Sequence, residues 1–213
     1  DFIIRFLSGV AIGIVAGIVP NAILGEIFKY LIQYQPIFKT LLGVVQAIQF
    51  TVPALIGALI AMKFNLTPLA IAVVASASYV GSGAAQFKNG VWIIAGIGDL
   101  INTMITAAIA VLFILLIEER VVSMALIIFP TIVGDLSATI GIFTLPYVRL
   151  ITTGIGNMLN SFTELQPVLM SMLISMVFSF IIISPLSTVA IAMAICLSGI
   201  AAGSASILIA ATE

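Results

Sequence analysis

Long apolar runs separated by short polar turns set the pattern of this chain. A helix that crosses a bilayer needs about 20 mostly apolar residues. Seven segments fit that requirement: Phe2–Leu24, Ile48–Met62, Pro68–Ala85, Val91–Ile117, Val121–Leu145, Pro167–Ser184 and Leu186–Ala210. The second is short and can borrow residues from Leu41–Ala47. The fourth is long and holds Gly96, Gly98 and Asp99, which predicts a break within it. The separating turns make chemical sense. Lys63 to Thr67 are mostly polar, and Pro68 opens the next helix where its missing N–H costs nothing. Gln86–Gly90 and Glu118–Arg120 form further polar breaks, and Ser184-Pro185 makes a tight one. Two stretches, Glu26–Gln46 and Tyr147–Gln166, mix Lys29, Lys39 and Arg149 with apolar residues. They are expected to lie along the interface or to re-enter the membrane under cover of protein. The predicted fold is all-α, a polytopic transmembrane helical bundle of about seven spans with interfacial or re-entrant segments. A β-barrel is excluded, because its strands alternate apolar and polar residues.

Composition sharpens this picture. Of 213 residues, 62% are hydrophobic and 7% charged, and mean hydropathy is +1.36. A soluble domain cannot cover its surface with so few charges. The net charge of −1 leaves no basic surface for nucleic acid. Basic residues do not settle orientation: Arg5, Lys63 and Arg120 fall on one side of the predicted topology, and Lys29, Lys39, Lys88 and Arg149 on the other. The chain has no histidine, which removes the commonest general base and metal ligand. Cys196 stands alone in an apolar run and reads as a packing residue. There is no glycine-rich phosphate loop with a lysine and no zinc motif. No enzyme chemistry, cofactor or metal is therefore expected. Asp1–Gly25 lacks a basic leader and a cleavage site and is read as a span, not a signal peptide.

The chain also echoes itself. Thr40-Leu-Leu-Gly43, Phe50-Thr51 and Pro53 resemble Thr153-Gly-Ile-Gly156, Phe162-Thr163 and Pro167. An apolar helix follows each, and then a proline-started helix, at Pro68 and at Pro185. This predicts two repeat units, residues 1–117 and 121–213, that superpose. The second has no counterpart of Val91–Ile117, so the parent protein is expected to continue beyond it. Repeated halves with a site near their interface are a transporter architecture.

Polar groups inside a bilayer are costly and call for a function. The segment Gly96-Ile-Gly-Asp-Leu-Ile-Asn-Thr103 has a near copy in Gly154-Ile-Gly-Asn-Met-Leu-Asn-Ser161. On a helix, Asp99, Asn102, Thr103 and Thr106 share one face, and Asn157, Asn160, Ser161 and Glu164 repeat the spacing. Glycines let a backbone break or approach a ligand closely. A stripe of carboxylate, amide and hydroxyl groups suits a sugar, whose hydroxyls each donate and accept. The competing reading pairs helices through these stripes, with Asp99 as a helix N-cap. Ser78, Ser82 and Gln86 form a further line at four-residue spacing, suited to helix packing or to lining a pathway. Ser171, Ser175 and Ser179, and Ser198, Ala202 and Ser206, read as packing faces. Asp135 reads either as a pathway acid or as a residue near the end of its span.

Four segments carry a resemblance: Gly81-Ser-Gly-Ala-Ala-Gln86, Gly96–Thr106, Thr152–Thr163 and Ile183–Ala192. They resemble a bacterial family of phosphotransferase-system membrane components, EIIC type 2. The resemblance implies a sugar permease of the bacterial cytoplasmic membrane. It also implies phosphoryl-carrier partners, EIIA and EIIB, which bear the phosphorylated His or Cys; this chain has no His, and its Cys196 is embedded in an apolar run. The expected surroundings are thus a lipid bilayer, a sugar or similar polar solute, those carriers and a second copy of the chain in a homodimer. Two other functions fit the residues. One is an ion-coupled secondary transporter, with Asp99 or Glu164 as the coupling carboxylate. The other is a membrane sensor or scaffold that keeps the fold without transport. Genetic neighbours, ion-gradient dependence and solute uptake separate the three.

Overall fold

The computed structural model describes residues 2–165 apart from Asn89, Val122 and Ser123. Helix α1 spans Phe2–Leu31. Its 30 residues, at 1.5 Å each, reach about 45 Å, more than the ~30 Å of hydrocarbon in a bilayer. It runs past the expected end at Leu24 and closes on an exposed Lys29–Glu26 ion pair of 2.5 Å. A stripe of Gly9, Gly13 and Gly17 on α1 faces Ile60, Ile56 and Val52 of α3, Val52–Lys63. A Cβ at Gly13 would stand 2.6 Å from Ile56 Cα, so the two backbones are nearly in contact. Lipid gives helices no hydrophobic reason to associate, and close backbone approach between small residues supplies the attraction instead.

Helix α2, Ile37–Gln49, joins α3 at a bend of 44°. Pro53 in the first turn of α3 lacks the N–H that would continue α2, and Thr51 Oγ1 donates to Ile48 O at 2.7 Å. The pair is either one broken span or a re-entrant loop. Asn21 Nδ2 donates to Gln49 Oε1 at 2.8 Å and ties α2 to α1. The mixed segment Glu26–Gln46 therefore comprises the end of α1, a turn and most of α2.

Helix α4, Pro68–Gly81, is capped by Thr67, whose side chain accepts from Ala70 N. It stops four residues before the expected Ala85. A two-stranded antiparallel hairpin follows, β1 Ala85–Lys88 and β2 Val91–Ile94, pairing Phe87 with Trp92. The expected helix over Val91–Ile117 is thus corrected: its first four residues are a strand. Val91, Trp92, Ile93 and Ile94 are all strand formers, and Asn-Gly before them is a strong hairpin signal. Helix α5 is Leu100–Ile117. Its first turns bury the polar Asn102, Thr103 and Thr106, its later turns bury Ala110, Val111 and Ile114, and Leu112, Leu115 and Leu116 are exposed. That is the arrangement a bilayer favours, since apolar side chains meet lipid and polar ones find protein.

After a 3₁₀ turn at Glu118–Arg120 come a short helix α6, Ala125–Ile128, a π-helical turn, Phe129–Gly134, and α7, Asp135–Leu165. The mixed segment from Tyr147 onward continues α7 through Pro146 to Leu165, and the candidate span takes in its part up to Gly154. Proline is tolerated in membrane helices because neighbouring groups re-satisfy the freed carbonyl.

Among the described residues three helices are long and apolar enough to cross a membrane: Phe2–Leu31, Leu100–Ile117 and Ala125–Gly154. The bent pair α2–α3 makes a fourth if it counts as one span. At 14 residues, α4 is about 21 Å long and too short to cross alone. The expected spans Pro167–Ser184 and Leu186–Ala210 lie outside the described residues. So do Cys196, the serine faces from Ser171 onward, and the prolines at 167 and 185 on which the repeat rests.

Candidate functional site

The hairpin separates Ser78 and Ser82 from the stripe that begins at Asp99. Helix α4 ends at Gly81, the chain leaves the helical path, and α5 starts after Asp99. Gly83, Gly96 and Gly98 adopt positive φ values of 75°, 133° and 80°, which L side chains strongly disfavour. A Cβ at Gly98 would lie 2.6 Å from Ser82 Oγ, so this glycine is required by contact as well as by conformation. The two sides of the break are stitched by Asp99 N to Ser82 O at 2.9 Å and Ala95 N to Ala84 O at 2.7 Å. Ser82 is buried; its hydroxyl donates to Tyr79 O at 2.7 Å and accepts from Ala84 N at 3.1 Å. Gln86 is half-buried and donates to Gly83 O at 3.0 Å.

Asp99 caps α5. One carboxylate oxygen accepts from Asn102 N at 2.9 Å, and its own carbonyl accepts from Thr103 N at 2.9 Å and Thr103 Oγ1 at 2.7 Å. The residue is half-buried beside the glycines.

Asn102 is fully buried where α4, α5 and α7 meet. Its Nδ2 donates to Gly81 O at 2.5 Å and to Gly141 O at 2.7 Å. Its Oδ1 accepts from Thr144 Oγ1 at 2.9 Å. Two carbonyls on one side and a hydroxyl on the other fix the orientation of the amide. The helices come this close because Gly81 and Gly141 face each other: a Cβ at Gly141 would lie 2.7 Å from Gly81 Cα. Thr106 fills the remaining space and returns its hydroxyl to Asn102 O at 2.8 Å. Asn102 thus bonds across to α4 and α7, whereas the hydroxyls of Thr103 and Thr106 return to backbone carbonyls one turn earlier in their own segment.

The second stripe lies elsewhere. Asn157 is exposed on α7 and sits about 20 Å beyond Thr144 along the axis at 1.5 Å per residue. Asn160, Ser161 and Glu164 follow it on the same helix backbone. A continuous α7 therefore does not bring this stripe to the Asn102 crossing.

Several residues at the break were not anticipated from sequence. Gly141 and Thr144 on α7 complete the Asn102 crossing, and their three-residue spacing was a legible signal. Arg149 is brought to the break, with Nη2 3.1 Å from where a Cβ on Gly83 would stand. The stripe Gly9, Gly13, Gly17 recurs every fourth residue and marks the α1–α3 contact.

Long apolar helices, polar residues turned inward and a helix path broken by glycines fit a helical membrane protein. The sequence profile of the family described as "Phosphotransferase system, EIIC" matches residues 4–213. The chain belongs to that family, whose members are the membrane components of sugar phosphotransfer. Comparison with curated proteins found no match, and comparison with solved structures found none.

Proposed function

We propose that this chain is the translocating part of a sugar permease and moves a sugar or similar polar solute across the bacterial cytoplasmic membrane. EIIA- and EIIB-type carriers supply the phosphoryl chemistry. The observation that carries the reading is the α4–α5 break, an interruption of helical backbone within an otherwise apolar bundle. Non-helical backbone at membrane depth persists where it is buried in protein or lines a water-filled cavity. Interrupted helices are where transporters hold their solutes.

In this reading the break between Ser82 and Asp99 borders the pathway. Asp99 keeps a second carboxylate oxygen for a solute hydroxyl, and Ser82, Gln86 and Thr103 line the same junction. Asn102 holds the junction in shape. Asn157, Asn160, Ser161 and Glu164 serve a separate, more distal part of the path. Equilibrium binding of labelled hexoses, hexitols and disaccharides to the purified full-length protein tests this. One of them is expected to bind saturably, and Asp99→Ala to weaken it about ten- to a hundredfold, the loss of one charged hydrogen bond. Equal affinity in Asp99→Ala and parent makes Asp99 a helix cap only. No binding of any sugar contradicts the permease reading.

A further inference from the structure

Beside the break, α4, β2, the π-helical turn and α7 border an open cavity of about 400 Å³. Its lining includes Ser76 and Val80 of α4, Trp92 of β2, Gly134 at the end of the π turn, and Asp135 and Thr139 of α7. The volume falls within the ~300–1,000 Å³ of small-molecule clefts. Val80 is followed directly by Gly81 and Ser82, so the cavity adjoins the start of the break.

Asp135 is the unusual member. It lies within the apolar span Ala125–Gly154, where an isolated carboxylate is expensive. It is exposed in the structure, and among the described residues no side chain or backbone group pairs with its carboxylate. The preceding π turn is a widened helical segment of a kind that recurs at functional sites. Thr139 stands one turn further along the same face of α7, and the exposed Trp92 lines the same cavity.

We propose that this cavity is a sugar-binding site, in which Asp135 accepts hydrogen bonds from adjacent hydroxyls and Trp92 lies against a C–H face of the ring. The proposal rests on the permease reading and assigns it a second group of residues. The lining supports a polyhydroxylated solute over a metal ion. A cation needs several oxygens, whereas the lining offers one carboxylate, and Ser76 already donates to Val73 O at 2.9 Å. A sugar needs one strong acceptor, a hydroxyl partner and a flat apolar platform, and Asp135, Thr139 and Trp92 supply them.

Trp92 is the only tryptophan in this sequence and reports on the site directly. Labelled-sugar binding is measured on the full-length protein by equilibrium dialysis. Emission is recorded in parallel, as parent minus Trp92→Phe. The expected result is a saturable emission change with the same midpoint as the dialysis curve. Asp135→Asn is expected to weaken binding at least about tenfold. Trp92→Phe, at a position 57% exposed, should lose several-fold affinity, and it carries the test if Asp135→Asn does not fold. If a sugar binds with parental affinity to both variants, the cavity is not its site and the permease reading stands. If the parent binds no sugar at all, the permease reading fails and takes this site with it.

Discussion

Replacing Asn102 with leucine isolates the polar crossing of α4, α5 and α7. Leucine has similar bulk, so the substitution removes bonds without opening a large void. Three side-chain bonds disappear, to Gly81 O, Gly141 O and from Thr144 Oγ1. Interhelical bonds in membranes average about 0.6 kcal/mol each, so the direct loss is about 2 kcal/mol. The partners differ in what they have left. Thr144 keeps Ile140 O at 3.1 Å. Gly141 O keeps its place in the helix. Gly81 O stands at the C-terminus of α4, where no intrahelical donor follows, and is left unpaired. An unsatisfied buried group adds about 1–3 kcal/mol, so the total should reach about 3–5 kcal/mol. Unfolding of the full-length protein in mixed micelles titrated with dodecyl sulfate, followed by helical circular dichroism, measures it. A cycle with Thr144→Val should return a coupling of about 0.6–1.7 kcal/mol. A parental midpoint for Asn102→Leu, or zero coupling, refutes the claim that this amide pins the helices.

Two other substitutions test the backbone contacts. Gly13→Val places a Cβ 2.6 Å from Ile56 Cα, so α1 and α3 must separate, and the unfolding midpoint should fall by the equivalent of about 1–3 kcal/mol; an unchanged midpoint denies the close contact. Gly98→Ala forces a side chain into φ +80° against Ser82 Oγ and should lower the melting temperature in detergent at a cost of about 1–2 kcal/mol, whereas Gly43→Ala, with nothing within 4 Å of its Cβ, should leave it near parental.

Much of the helical layout was legible in the chain because bilayer-crossing segments announce themselves by length and hydropathy. The break near Gly96–Asp99 was also legible, since glycines before a carboxylate do not continue an apolar helix. The hairpin was missed: Val91–Ile94 is as apolar as the helix that follows it, and hydropathy does not distinguish four strand residues from the start of a span. Only their side-chain types and the Asn-Gly before them did. The continuity of Tyr147–Leu165 with α7 was not legible because Arg149 made the segment look too polar for a continuing helix, whereas its guanidinium reaches the break at Gly83. The polar stripe of α5 was found, but its partners were not. Spacing along one helix places residues on a face and says nothing of which carbonyls lie across from them. Asp135 stayed undecided in the sequence because its neighbours in space, Ser76 and Trp92, are remote in the chain.

Counterflow is the most direct test of the central claim that this chain moves sugar. Vesicles holding the full-length protein alone are loaded with an unlabelled sugar that binds it, then diluted into a trace of the labelled form. The account predicts transient accumulation of label above its external concentration, followed by decay as the gradient runs down, with no need for an ion gradient. A trace indistinguishable from protein-free vesicles, for every sugar that binds, would contradict it.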